Sequence, residues 1–306
     1  MNHTRRTFIK SSALTLAGAA LLPKTFFAAQ AAAESIVGVQ LYSVRDDMKK
    51  APLETLQGLA KMGYKYVEHA NYVGGKFYGY APTEFKKVLD DLGLKMPSGH
   101  TVMRAQHWDA ANNTFTDEWK QTVADAATVG EMYVISPWLD DEFRTSTDKL
   151  KSFMDVFNKS GELCKQSGLK FGYHNHDFEF NTKLDGKLLY DLILENTDPQ
   201  LVIHQLDIGN MYGAGGRAAD IIKKYPGRFA SMHVKDEIKA EKGEMKEPYE
   251  STIIGKGVIG TQAIVALGKK MGGTKHFIIE QESYQGKTPM DSVQEDLQIM
   301  KRWGYV

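Results

Sequence analysis

Cysteine is nearly missing from this chain: Cys164 is the only one in 306 residues. That excludes an intramolecular disulfide framework and any cysteine-rich zinc site. The residue reads as a small apolar side chain on a helix. An excess of either charge is missing too, since 38 Lys+Arg balance 38 Asp+Glu. A neutral chain lacks the long-range attraction that phosphate backbones need, so no nucleic-acid partner is expected. No apolar run reaches the roughly 20 residues of a membrane-spanning helix. After residue 33 there is no linker and no low-complexity stretch, which leaves residues 34–306 as one domain. A glycine-rich turn after the first β-rich run is also lacking, which argues against a doubly wound dinucleotide fold. The glycines from Gly213 to Gly216 lack phosphate-binding spacing and read as a tight turn.

The N-terminus has a pattern of its own. Arg5-Arg6-Thr7-Phe8-Ile9-Lys10 precedes an apolar stretch over 12–22, then Ala28-Ala29-Gln30-Ala31-Ala32-Ala33. This resembles a cleavable twin-arginine export signal, which implies a periplasmic location and removes residues 1–33 from the fold. The apolar stretch is short and no cysteine follows it for lipid attachment, so no stable membrane anchor is expected.

From residue 35 onward, short β-rich runs alternate with longer amphipathic ones. Strands are predicted at 36–42, 64–68, 95–100, 132–136, 169–176, 201–207, 229–234 and 276–281. Helices are predicted at 52–62, 82–92, 116–129, 147–167, 187–194, 218–225, 261–270 and 289–303. Gly63, Gly93 and Gly168 stand where a left-handed residue would close a helix before the next strand. Eight such repeats predict a single-domain α/β fold, a (β/α)₈ TIM barrel. Residues 236–256, rich in Lys, Glu and Gly, interrupt the alternation and read as a rim loop or lid.

In such a barrel the C-terminal strand ends face the pocket. Here those ends carry Gln40, Glu68, His100, His174 with His176, Asp207, His233 with Lys235, and Glu280 with Glu282. Side chains alternate along a strand, so each of these pairs shares a face. One residue from each of the four late strands, His174, Asp207, His233 and Glu280, would form a cage of two imidazoles and two carboxylates. Mixed ligation of that kind suits one divalent ion, Mn²⁺, Co²⁺, Zn²⁺ or Fe²⁺. His176 can exchange roles with His174, and Glu282 with Glu280. A histidine titrating near neutrality suits proton abstraction, which makes His176 the candidate general base. Lys235 would meet developing negative charge on a substrate oxygen, and Glu280 or Lys235 would return the proton. Glu68, His100, Asn210 and Glu282 are candidate pocket groups, and Trp138 could stack on the apolar face of a sugar or pack at the rim.

These residues and their order resemble the xylose-isomerase-like barrel superfamily of sugar epimerases, inosose dehydratases, isomerases and endonuclease IV. The resemblance runs from about residue 40 to residue 302. It implies a metal on a Glu, an Asp, a His and a Glu from strands five to eight. Asp207, His233 and Glu280 match the last three, whereas His174 stands where the epimerases carry glutamate. Tyr173-His174-Asn175-His176 is closer to the inosose-dehydratase-like and keto-glycoside-cleaving branches, in which a strand-five histidine is the base. His100 resembles a strand-three histidine that lines sugar pockets.

The resulting expectation is a metal-dependent sugar isomerase or epimerase that abstracts a proton beside a carbonyl through a metal-stabilised enediolate. The same enediolate would serve a dehydratase or a 3-keto-glycoside lyase or hydrolase. Two rivals are a non-catalytic sugar-binding barrel and an endonuclease IV-like nuclease. The nuclease needs a histidine three residues after Asp207, where Asn210 stands. The expected partner is a small sugar or glycoside, with homo-oligomerisation left open.

Overall fold

The computed structural model describes residues 35–240, 244 and 248–306. The export-signal reading of residues 1–33 lies outside them. Eight parallel strands close into a ring: β1 (Ile36–Gln40), β2 (Tyr66–His69), β3 (Lys95–His100), β4 (Tyr133–Ser136), β5 (Lys170–His174), β6 (Val202–Asp207), β7 (Ser231–Val234) and β8 (His276–Ile279). They are ordered around the barrel as in the chain, with β8 pairing back onto β1. The predicted (β/α)₈ topology is therefore the one observed.

The outer helices are α1 (Pro52–Met62), α2 (Pro82–Asp91), α3 (Asp117–Val129), α4 (Thr147–Gln166), α5 (Leu189–Asn196), α6 (Ala218–Lys224), α7 (Thr261–Leu267) and α8 (Pro289–Arg302). Their ends follow local chemistry. Pro52, Pro82 and Pro289 occupy first helical positions, where a missing N–H costs nothing. The side chains of Thr116, Ser146 and Thr288 each accept a first-turn N–H. Gly63 ends α1 at φ +104°, as its position before a strand predicts. Cys164 is buried on α4, and burial pushes its thiol up to about 12, so it is a packing residue.

Apolar side chains between strands and helices form the main core. Inside the barrel a smaller cluster of Tyr133, Ile135 and Ile203 fills the end away from the pocket. Above that plug the inward positions turn polar, which is unusual for a buried layer and must be accounted for by hydrogen bonds.

Two local expectations are corrected. The pattern carries strand five to residue 176, but the ladder ends at His174. Asn175 leaves it because its side chain bonds both the N–H (3.0 Å) and the carbonyl (3.1 Å) of Asp207. Residues 236–256 are not an irregular loop throughout: Asp236–Lys239 pairs antiparallel with Tyr249–Thr252. The base of this hairpin is fixed by Asp236, whose carboxylate accepts N–H groups from Gly255 (2.8 Å), Gly257 (3.1 Å) and Ile259 (3.2 Å).

Candidate active site and metal centre

Asp207 ends β6, and its two carboxylate oxygens serve different purposes. Oδ1 accepts the N–H groups of Gly209 and Asn210, both at 2.8 Å, and caps the short helix Ile208–Gly213. Oδ2 is buried and has no hydrogen-bond partner. It lies 3.8 Å from His233 Nδ1, 3.9 Å from His174 Nε2 and 3.7 Å from Lys235 Nζ, all beyond hydrogen-bonding range. A fully buried carboxylate oxygen with unused lone pairs is costly unless a cation meets it.

His233 and Glu280 supply the neighbouring donors. His233 Nδ1 is 3.0 Å from Glu280 Oε2, and one ligand atom each from Asp207, His233 and Glu280 falls within 4.8 Å of the others. A second such triple joins His100, His174 and His233. His174 thus reaches the carboxylate group through Asp207. Three of the four expected cage residues converge directly and the fourth flanks them.

The opposite ring nitrogen of His233, Nε2, lies 2.6 Å from Glu68 Oε1. Glu68, expected among the pocket groups, is instead wholly buried one layer below. It accepts hydrogen bonds from Gln40 (2.9 Å), Gln205 (2.9 Å) and Ser98. Burial opposes its ionisation, but His233, His100 and the Ser98 hydrogen bond outweigh burial and hold the carboxyl far below the usual range. A carboxylate that orients the far side of an imidazole is a common support for metal-ligating histidine. For His233 burial also disfavours charge, and Glu280 and Glu68 overcome it, so that without an ion the ring is an imidazolium.

Lys235 follows β7 and is buried. Its ammonium donates to Asn210 Oδ1 at 3.1 Å, to Glu280 at 3.3 Å and to Glu282. Burial works against this charge, and Asp207, Glu282 and Glu280 reverse it, raising the lysine well above its ordinary value. Room for the stem comes from Gly209, where a Cβ would fall 2.6 Å from Lys235 Cδ and 2.6 Å from Glu237 Oε1. Asn210 and Glu282, both expected pocket groups, therefore meet at the same cation.

These groups open onto a cavity of about 1020 Å³, whose walls include His100, His176, Lys235, Glu280 and Glu282. Burial lowers His176 to about 4, below the near-neutral value expected of it as a base, so the ring is neutral at neutral pH. Its Nδ1 has no partner. Trp138 also lines the cavity and packs at the rim, with its ring edge-on to His176 (5.5 Å) and the Arg144 guanidinium 4.6 Å over it.

A closed barrel with this donor set at its C-terminal end matches one family description over residues 56–303, the Xylose isomerase-like TIM barrel. The chain belongs to that family. Among curated relatives of this xylose isomerase-like barrel, an inosose dehydratase of Clostridium perfringens is 31% identical over 109 residues, which is 36% of this chain and 35% of that protein. The matched stretch thus spans about a third of that relative's length. A solved sugar phosphate isomerase/epimerase from Parabacteroides distasonis is 27% identical with a TM-score of 0.76, covering 93% of this chain and 100% of that one. The fold is shared with a zinc-bound IolI protein at 14% identity and a TM-score of 0.66, over 87% of this chain and 97% of that chain.

Several residues of the xylose isomerase-like site carried no role from the sequence. Gln205 lies two positions before Asp207 on the same strand face, a spacing that could have flagged it. Glu179 accepts the His176 N–H at 3.0 Å and the Tyr173 hydroxyl, and burial raises its carboxyl to about 8. Glu237 lines the cavity, and burial raises it to about 8 as well. Nothing in the sequence separates Glu179 or Glu237 from surface glutamates.

Proposed function

We propose that this xylose isomerase-like barrel is a metal-dependent carbohydrate isomerase or epimerase that removes a proton from carbon beside a sugar carbonyl. The observation that carries the reading is the unpartnered Asp207 Oδ2, buried beside His233 Nδ1 and Glu280 Oε2, directly behind the His174, Lys235 and Glu280 wall of a large cavity. His174, Asp207, His233 and Glu280 would hold one divalent ion, Mn²⁺, Co²⁺, Zn²⁺ or Fe²⁺. The imidazole–carboxylate set fits such an ion, and the bound zinc of the IolI neighbour supports it. When bound, that ion supplies Lewis-acid polarisation of a substrate carbonyl, a contribution of roughly several kcal/mol.

The chain's own groups then divide the work. His176 is neutral, lines the cavity and takes the proton from carbon, a step worth about 10² to 10⁴-fold. Lys235, held by Asn210 and Glu282, faces the negative charge of the enediolate, and Lys235 or Glu280 returns the proton. His100, Trp138, Asn210 and Glu282 would line the sugar, while Glu68 acts from beneath His233.

Elimination is the second reading, as a dehydratase or 3-keto-glycoside lyase or hydrolase. It is favoured by the neutral His174, which takes the place of a second carboxylate, and by the inosose dehydratase relatives. Incubating the mature protein with free ketoses and 3-keto-glucosides, Mn²⁺ and D₂O separates the two by NMR. Deuterium at carbon marks isomerisation and an unsaturated product marks elimination. A protein that retains no stoichiometric metal and exchanges no deuterium would sink both.

We also propose that residues 1–33 direct export to the periplasm. Replacing Arg5 and Arg6 by Lys should leave the precursor in the cytoplasm on cell fractionation, and undiminished export would refute it.

A further inference from the structure

We propose that Gln205 is a positioning residue that locks His100 and His174 into opposite tautomers. The Gln205 side chain ends in one acceptor and one donor group, and every partner around it is fixed. Its Nε2 donates to Glu68 Oε2 at 2.9 Å and contacts Ser231 Oγ at 3.0 Å. Gln40 and Ser98 also donate to the two oxygens of Glu68, so this carboxyl faces Gln205 as an acceptor and the amide cannot turn over without setting its carbonyl against a carboxyl oxygen. The Oε1 atom is therefore committed to the other side. There it meets two imidazole nitrogens, His100 Nε2 at 2.7 Å and His174 Nδ1 at 3.0 Å.

A carbonyl oxygen has lone pairs and no proton, so both nitrogens must donate. For His100 the proton sits on Nε2, where the nearby Glu68 Oε1 at 3.4 Å is a further acceptor. In His174 it sits on Nδ1. Among the described residues no acceptor lies within hydrogen-bond range of the other nitrogen of either ring, so each ring carries a single proton. The remaining lone pairs follow: His100 is a bare acceptor at Nδ1, and His174 is a bare acceptor at Nε2. That second atom is the one 3.9 Å from the unpartnered Asp207 oxygen. One amide, buried and out of the cavity, thus decides that His174 offers a lone pair rather than an N–H to the Asp207 centre. With respect to metal, the inference rests on the function proposed above; the tautomers themselves do not.

Long-range ¹H–¹⁵N spectra of metal-free, ¹⁵N-histidine-labelled protein read the tautomers directly. The expected pattern is His174 protonated at Nδ1 only and His100 at Nε2 only. Gln205→Met keeps the length and removes both hydrogen-bonding functions, so the two rings should lose the fixed pattern and show averaged shifts. Gln205→Glu should keep it, because two carboxyls so close share a proton and the protonated glutamic acid both donates to Glu68 and accepts from the rings. Titration with Zn²⁺ or Mn²⁺ alone should show binding at least about 10-fold weaker in Gln205→Met than in the parent. Either ring in the opposite tautomer in the parent protein, or an unchanged pattern in Gln205→Met, overturns the proposal. If Gln205→Met does not fold, the parent spectrum alone decides. A parent protein with the expected tautomers that binds neither ion upholds Gln205 and overturns the metal reading instead.

Discussion

A single carboxylate carries two duties at the residue scale, and substitution can separate them. Asp207 caps a helix through Oδ1 and aims Oδ2 at the proposed metal position. An asparagine side chain would cap nearly as well, so Asp207→Asn should change stability by less than about 1 kcal/mol. It should nonetheless lower bound metal and kcat/KM by more than about 100-fold. Elemental analysis beside a melting curve checks this, and an Asp207→Asn protein that keeps its metal would contradict the assignment. Lys235 gives the complementary test. It is the ammonium that balances Asp207, Glu280 and Glu282. Lys235→Met would leave those buried carboxylates short of a cation, at a cost of roughly 3 to 5 kcal/mol. Added Mn²⁺ should therefore raise the melting temperature of Lys235→Met by more than that of the parent, since a bound cation replaces the missing charge. An equal shift in both proteins would show that the ion and the ammonium do not share those oxygens.

At the scale of elements, much was legible because each helix had one apolar face and a chemically marked end. Helix 52–62 is found where Pro52 and Gly63 bound it. Strand five stops short of its sequence pattern because its end is set by Asn175 bonding across to β6, a partner 32 residues away. The hairpin after β7 was hidden because the buried positions of its first strand are Asp236 and Glu237, residues that local propensity assigns to loops. The same limit explains Glu68: its depth depends on Gln205, 137 residues distant in sequence. The short helix after β6 makes its own prediction. A methyl at Gly209 would collide with the Lys235 stem and with Glu237. Gly209→Ala should cost about 1 to 3 kcal/mol and depress activity together, as read by denaturant melts and turnover. Full activity in a stable Gly209→Ala protein would mean that Lys235 can take another path.

For the whole molecule, the closed ring was legible from the count and order of repeats, which local patterns reveal without knowledge of contacts. The balance of buried protons was not, and it sets how stability responds to pH. Burial raises the Asp296 carboxyl on α8 to about 8, against an ordinary value of 3.8. Between those values the folded chain holds a proton that the unfolded chain has released. This contribution is fully present below the unfolded value and is lost as pH rises through the folded one, by at most about 1.4 kcal/mol per pH unit. Asp296→Asn should therefore flatten the decline in urea midpoint between about pH 5 and pH 8. A slope identical to the parent's would mean that Asp296 does not retain its proton in the fold.

The hairpin rooted by Asp236 has a consequence for how this scaffold could diversify. Its base is clamped to the backbone of Gly255, Gly257 and Ile259, whereas Pro248 and Tyr249 at its far end form part of the cavity wall. Insertions or deletions beyond the clamp would be absorbed before they reached β7, so His233 and Lys235 would keep their register. Descendants of one ancestral barrel could exchange that outer segment to admit larger or smaller substrates while inheriting the same floor of buried imidazoles and carboxylates.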